Sequence, residues 1–225
     1  LHVGCGAARK ENMHSIFHGD EWEEVRLDID EKAKPDITGD IREMPDVKTE
    51  SMDAIYSSHN VEHVYAYEVP KVLGEFHRTL KPGGFAVITL PDMQSVAVAL
   101  ANGKLEDALY QSPAGPITPL EIMYGLNSAL KKGQHYMAHK TAFTAHTLGK
   151  KLLEAGFHNV TVSRDNSYNL WAQGFKLGGE LKNPTHQAKV KGSYAQAVIN
   201  LPKEGQKLDD LNSPPKLKWK PLKRA

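Results

Sequence analysis

Cysteine is almost absent: Cys5 is the only one in 225 residues. A single thiol rules out an intrachain disulfide and any multi-cysteine metal site, and a reducing, cytoplasmic setting fits. Long apolar runs are missing too. Charged and polar residues interrupt every hydrophobic stretch well short of the ~20 residues that cross a bilayer. No signal-peptide pattern opens the chain. No glycine-rich run leads into Gly-Lys-Ser/Thr, which speaks against a nucleoside triphosphate.

The length allows one domain with a sizeable core plus an appendage. Net charge is +1, unevenly spread. Residues 1–175 hold 17 Lys+Arg against 23 Asp+Glu, and residues 176–225 hold 11 against 4. The basic end is not a dense Lys/Arg block. Residues 179–225, with Pro214-Pro215 among polar neighbours, read as an extended, solvated tail on a domain of residues 1–178, rather than as a nucleic-acid contact.

The first stretch, Leu1-His2-Val3-Gly4-Cys5-Gly6, is a short apolar run that turns on two glycines. Glycine permits positive φ and close approach of a ligand to the backbone, which is how a nucleotide-like group is seated at the carboxyl edge of a parallel sheet. A few more strand residues are expected ahead of Leu1. Arg9 to His18 leaves room for a short helix only. Further strands are read at Glu23–Ile29, Pro35–Thr38, Asp53–Ser57 and Phe85–Leu90, the last nearly continuous in apolar residues as in a sheet covered on both faces. Val61 to Leu80 has helical apolar spacing, with Pro70 forcing a kink or a new start, and Lys81-Pro82-Gly83-Gly84 closes it. This alternation implies a doubly wound, Rossmann-like α/β sheet.

From 93 to 143 the rhythm breaks into a lid-like, partly helical insertion after the fifth strand. It contains helix-like pieces at Val96–Ala101 and Leu120–Leu130, a Pro/Gly segment at Ser112–Pro119, and a loop rich in His and Tyr. A last helix, capped by Thr144 or Thr147 and closed by Gly156, precedes two strands, Val160–Ser163 and Leu170–Leu177. These read as an antiparallel pair at the sheet edge.

Asp28 ends the second strand, 22 residues after Gly6, where a carboxylate accepts both hydroxyls of a ribose. Asp30 next door competes for that role. Asp40 follows the third strand, where it suits an adenine amino group while Ile41 packs on the ring; it also suits a turn cap. A dinucleotide would want a third small residue where Arg9 stands, at the mouth of a helix that holds pyrophosphate. An adenosine ligand without phosphates fits better, and S-adenosylmethionine is the obvious one.

LHVGCG, LDI, GDI, DAIYSSHNVEHV and LKPGGFAVITLPD, in this order, resemble the class I S-adenosylmethionine-dependent methyltransferases of the "methyltransferase domain 11" type. The likeness covers Leu1 to about Asp92, with weaker support from EAGF (Glu154–Phe157). It implies seven mostly parallel strands with a reversed last hairpin. It also implies a cofactor loop at Gly4, Cys5 and Gly6 for the methionine part and Asp28 on the ribose. Ile29 and Ile41 would flank adenine, Asp40 would take its amino group, and Ser58 and His59 would line the cofactor. His2 stands where many relatives carry the carboxylate that organises the methionine amino end, and Ala8 where many carry a third glycine.

Methyl transfer needs alignment and desolvation of the nucleophile, and a base only if that nucleophile is a hydroxyl. His135, Tyr136 and His139, in the insertion, are the candidates for this chemistry; a loop whose imidazoles merely cap or pack is the competing view. The expected function is transfer of a methyl group to an oxygen or nitrogen of a small metabolite or sugar, with no metal, no membrane and no nucleic acid. Two other readings compete. One is a non-catalytic methyltransferase-like module that binds a partner or nucleic acid through the basic tail. The other is a zinc hydrolase, because His59, Glu62 and His63 match the H-x-x-E-H spacing.

Overall fold

A computed structural model describes residues 1–178. The tail expected over 179–225 lies outside the described residues. Seven strands form one sheet: β1 (His2–Val3), β2 (Arg26–Asp28), β3 (Ile37–Thr38), β4 (Met52–Ser58), β5 (Leu80–Pro91), β8 (His158–Arg164) and β9 (Asn169–Phe175). Their order is β3-β2-β1-β4-β5-β9-β8. The first five run parallel, while β9 lies antiparallel to β5 and to β8. The chain winds outward from β1 to β3 and then returns to pair β4 with the free side of β1. That reversal makes β1/β4 the switch point, where open α/β sheets bind ligands at the carboxyl ends.

Two helices cover one face, α1 (Val69–Thr79) and α5 (Ala145–Glu154). Val72, Leu73 and Phe76 of α1 and Leu148 and Leu152 of α5 are fully buried in the main core with Ile55, Ile88 and Leu90. Thr144 caps α5: its Oγ1 accepts from the Thr147 N–H, and Thr147 Oγ1 accepts from the Thr144 N–H. The opposite face is covered more thinly. Arg9–His18 forms two 3-10 turns, Lys10–Asn12 and Ser15–Phe17, instead of a helix. Phe17 from the second turn packs with Tyr56, Phe85 and Val87.

Of the kink or new start expected at Pro70 within 61–80, the new start is what forms. Val61–His63 is a 3-10 turn, and α1 starts at Val69 with Pro70 in its first turn, where a missing N–H costs nothing. The helix stops at Thr79, so Lys81-Pro82-Gly83-Gly84 lies within β5. The register against β4 jumps there, from Met52↔Leu80 to Ala54↔Phe85, and the bulge absorbs the proline and glycines.

The insertion contains α2 (Met93–Ala101), a hairpin of β6 (Tyr110–Ser112) and β7 (Gly115–Ile117), α3 (Pro119–Tyr124), α4 (Asn127–Leu130) and a 3-10 turn at His135–Met137. The Pro/Gly segment is thus a hairpin. The helix expected over 120–130 breaks at Gly125, which has φ 99° and leaves no room for a Cβ beside the Met137 carbonyl. Asp92 and Phe143 form a parallel bridge, and the Met93 N–H donates to the Phe143 carbonyl at 2.9 Å. No helix among the described residues is long and apolar enough to cross a membrane.

Candidate active site

A cavity of about 480 Å³ opens at the carboxyl ends of β1, β2 and β3. Gly4, Gly6, Asp28, Ile29, Asp40, Ile41 and His59 line it on the sheet side; Gln134, Tyr136, Met137 and Lys140 line it from the insertion. Gly4 and Gly6 both have positive φ, 60° and 51°. A Cβ on Gly4 would sit 2.4 Å from Asn60 Cγ, so only glycine lets the turn pass this side chain.

The turn is fastened to the end of β2 from two sides. The Gly6 N–H donates to Asp28 Oδ2 at 2.7 Å, and the Asp30 N–H donates to Asp28 Oδ1 at 2.8 Å. Asp28 is thus a nearly buried carboxylate with each oxygen pinned by one backbone amide and a lone pair left over on each. Arg26, also buried, donates to the carbonyls of Gly6 (2.6 Å), Lys34 (2.7 Å) and Ala33 (3.3 Å). It ties the glycine turn to the loop after β2. Sequence reasoning missed this residue, whose only signal was a charge inside a strand expected to be buried.

Asp40 accepts from the Arg42 N–H at 2.8 Å and from its guanidinium, which also bridges to Glu68 at 2.7 Å. Burial pushes the Asp40 carboxyl up, but Arg42 more than offsets this and holds it below the usual range. Asp40 is therefore an ionised acceptor at the cavity wall. Ile29 is half exposed, ready to be covered, whereas Ile41 is already buried.

His2, Cys5 and Ser58 do not line the cavity. The His2 Nδ1 lies 2.6 Å from Glu24 Oε1, and burial pushes its imidazole down, partly offset by Glu24. Glu24 also accepts from the Lys10 N–H at 3.0 Å, so a carboxylate stands beside position 2 even though position 2 is not acidic. The Cys5 thiol is buried and pushed up to about 11 by desolvation, which leaves it protonated and inert.

Of the insertion residues, Tyr136 faces the cavity and its hydroxyl donates to Asp30 Oδ2 at 2.8 Å. Asp30 thus serves the insertion, while Asp28 serves the glycine turn. His135 is exposed and off the cavity wall. His139 lies one layer back, its ring 4.9 Å from that of His63, which does line the cavity. His59 is the left-handed residue that ends β4, with φ 48°. Burial pulls its imidazole down, but the neighbouring Glu62 carboxylate raises it overall. Burial also pushes the His139 imidazole down.

A switch-point cavity with a glycine turn and two strand-end carboxylates, on a mostly parallel sheet with a reversed last hairpin, is a Rossmann-like architecture built to seat a ligand at the carboxyl ends of its strands. Residues 1–88 match the family model of the methyltransferase domain. Solved structures share the fold. A SAM-dependent methyltransferase from Archaeoglobus fulgidus superposes with TM-score 0.53 at 15% identity, covering 78% of this chain and 85% of that one. The PH0226 protein from Pyrococcus horikoshii gives 0.53 at 13%, covering 78% and 80%. A possible exported protein from Bordetella parapertussis gives 0.44 at 18%; the match covers 68% of this chain and 52% of that one, about half its length. A search of curated proteins finds no match.

Proposed function

We propose that this protein transfers the methyl group of S-adenosylmethionine to an oxygen or nitrogen of a small metabolite or sugar. The observation that carries the reading is Asp28: a buried carboxylate at the cavity, oriented through both oxygens by the Gly6 and Asp30 amides. Such an acceptor suits two adjacent ribose hydroxyls. The turn suits the methionine part at Gly6, where positive φ and open space in place of a side chain let a ligand come close to the backbone.

When bound, the cofactor supplies a methyl group on a sulfonium centre that already leaves readily. The protein has to align an acceptor and keep water away. Tyr136 and Met137 close the cavity opposite the sheet and are assigned to that task. Removing a proton from a hydroxyl acceptor falls to an imidazole. His59, at the wall and half exposed, reaches the cavity directly, whereas His139 is set back behind His63 and does not. An amine acceptor needs no such base.

Calorimetric titration with S-adenosylmethionine and S-adenosylhomocysteine tests the reading, followed by turnover with hydroxyl and amine acceptors. Micromolar binding of both ligands is the expected result. Binding of neither by the intact protein would favour the non-catalytic module instead.

A further inference from the structure

Beside the cavity lies a second group of side chains that the methyltransferase reading does not use. Glu62 and His63 belong to the 3-10 turn after β4, and His139 belongs to the loop that leaves the insertion. Backbone bonds clip the two together: the Glu62 carbonyl accepts from the N–H groups of Lys140 (2.8 Å) and Thr141 (3.2 Å). A carboxylate oxygen of Glu62 and one ring nitrogen from each imidazole all lie within 4.8 Å of one another.

The protons on these rings can be assigned. His63 Nδ1 faces the Ala138 carbonyl at 3.2 Å, and His139 Nδ1 faces the Ile122 carbonyl at 2.6 Å. A carbonyl only accepts, so in both rings Nδ1 carries the hydrogen and a neutral ring keeps its lone pair on Nε2. Outer carbonyls that fix the tautomer in this way are the usual support of metal-binding imidazoles.

Glu62 supplies the independent observation. Its residue is 1% exposed, and neither carboxylate oxygen receives an aligned hydrogen bond. The nearest partner, His59 Nδ1, stands at 3.3 Å in ion-pair range but outside hydrogen-bond alignment. A buried carboxylate without hydrogen bonds is costly. The convergence of this carboxylate with one nitrogen of each ring within 4.8 Å is close enough for a single cation to reach all three.

We propose that Glu62, His63 and His139 bind a divalent first-row cation of the zinc type. Two imidazoles and one carboxylate are a ligand set that keeps a fourth position open. Because His63 also lines the cavity, the ion borders the place where an acceptor binds. This is not the arrangement that the H-x-x-E-H spacing suggested. His59 and His63 do not share a helix face, since His59 is left-handed and the following turn is 3-10. The third ligand comes from the other end of the insertion.

The test is calorimetric titration of the chelator-stripped full chain with Zn²⁺, without cofactor, so its outcome is separate from that of the cofactor titration. One ion per chain is expected. His139→Ala and Glu62→Gln should each weaken it by at least ~100-fold, since even outer partners of metal ligands are worth 10–100-fold. His146→Ala, at an exposed imidazole, should leave it unchanged. The visible spectrum of the Co²⁺-loaded intact chain gives a reading that needs no variant; intense bands of a low-coordinate nitrogen–oxygen site are expected. No uptake by the intact chain, equal uptake by all variants, or a Co²⁺ spectrum like that of the hydrated ion would overturn the proposal.

Discussion

Replacing Asp28 by Ala is the sharpest test of how the cofactor is held. Each Asp28 oxygen already accepts one backbone amide, so each has one further lone pair for a ribose hydroxyl. Hydrogen bonds to a charged group contribute about 1.5–3 kcal/mol each. Losing two at the low end removes about 3 kcal/mol, roughly a hundredfold in Kd. Part of that loss comes from the Gly6 amide, which no longer has the acceptor that fixes the glycine turn. Asp28→Asn keeps one acceptor oxygen but sets an NH2 group against a backbone N–H, so it should fall between wild type and Ala. Asp30→Ala is the neighbouring control. Asp30 is half-buried and accepts from the Tyr136 hydroxyl and the Lys32 N–H, neither of which touches the ribose in this assignment; the loss of such bonds reaches the ligand only indirectly, so the change should stay below about fivefold. Calorimetry with S-adenosylhomocysteine measures all three, with circular dichroism to establish that each variant is folded. A folded Asp28→Ala protein with unchanged affinity, or an Asp30→Ala protein with the larger loss, would refute the assignment.

Other consequences lie in stability. Asp92 is fully buried, caps α2 through the Gln94 N–H, and accepts from Ser95 Oγ and from Arg164 at 2.6 Å; Asp92→Ala should cost roughly 2–3 kcal/mol by removing the cap and those hydrogen bonds. Urea unfolding with an unchanged midpoint would contradict it. Arg78 donates to the carbonyls of Met44 and Val47 and to Glu75, fastening the 44–49 loop to α1. Arg78→Ala should cost ~2 kcal/mol and lower Tm by about 4–8 °C in a scanning melt. The Arg78 guanidinium beside Glu75 holds that carboxyl below its ordinary value. Its stabilising contribution is therefore complete above the unfolded-state pKa and disappears as pH falls through the lower folded one. The stability gap between wild type and Glu75→Gln should accordingly be widest near neutrality and close in acid, and a gap independent of pH would be inconsistent with the pairing. Gly125→Ala should displace the 3-10 turn that carries Tyr136, because the new Cβ meets the Met137 carbonyl; proteolysis within the insertion should become faster than in wild type.

The parts of the fold that were legible in sequence are those where local chemistry and global position agree. Gly4 and Gly6, the two strand-end aspartates and the apolar run Phe85–Leu90 each have one inexpensive arrangement, and they take it. Misreadings fall where tertiary pairing overrides a local signal. Pro82, Gly83 and Gly84 look like a stop, yet β9 pairs alongside: the Gly83 N–H donates to the Lys176 carbonyl and the Lys176 N–H to the Gly84 carbonyl, so the strand continues through the bulge. Residues 9–18 carry one large buried group, Phe17, and a single aromatic needs no helix to reach the core. The site divides in the same way. Contiguous motifs exposed the sheet side of the cavity. The insertion side depends on which loop residues return to the sheet, and neither Tyr136 meeting Asp30 nor His139 meeting His63 leaves a trace in local spacing.

The bridge between Asp92 and Phe143 has a consequence for how such a protein diversifies. The excursion between them departs from and returns to one point on the rim of the sheet. Enlarging a loop whose ends are already joined costs only about 0.6 kcal/mol per doubling of its length. Chain closure therefore sets little limit on the length carried there, and the constraint that remains lies in the few contacts by which the excursion returns to the sheet side, at Asp30 and Glu62. A longer or shorter excursion can thus be exchanged as one continuous piece, without reworking any strand, so long as it restores those contacts.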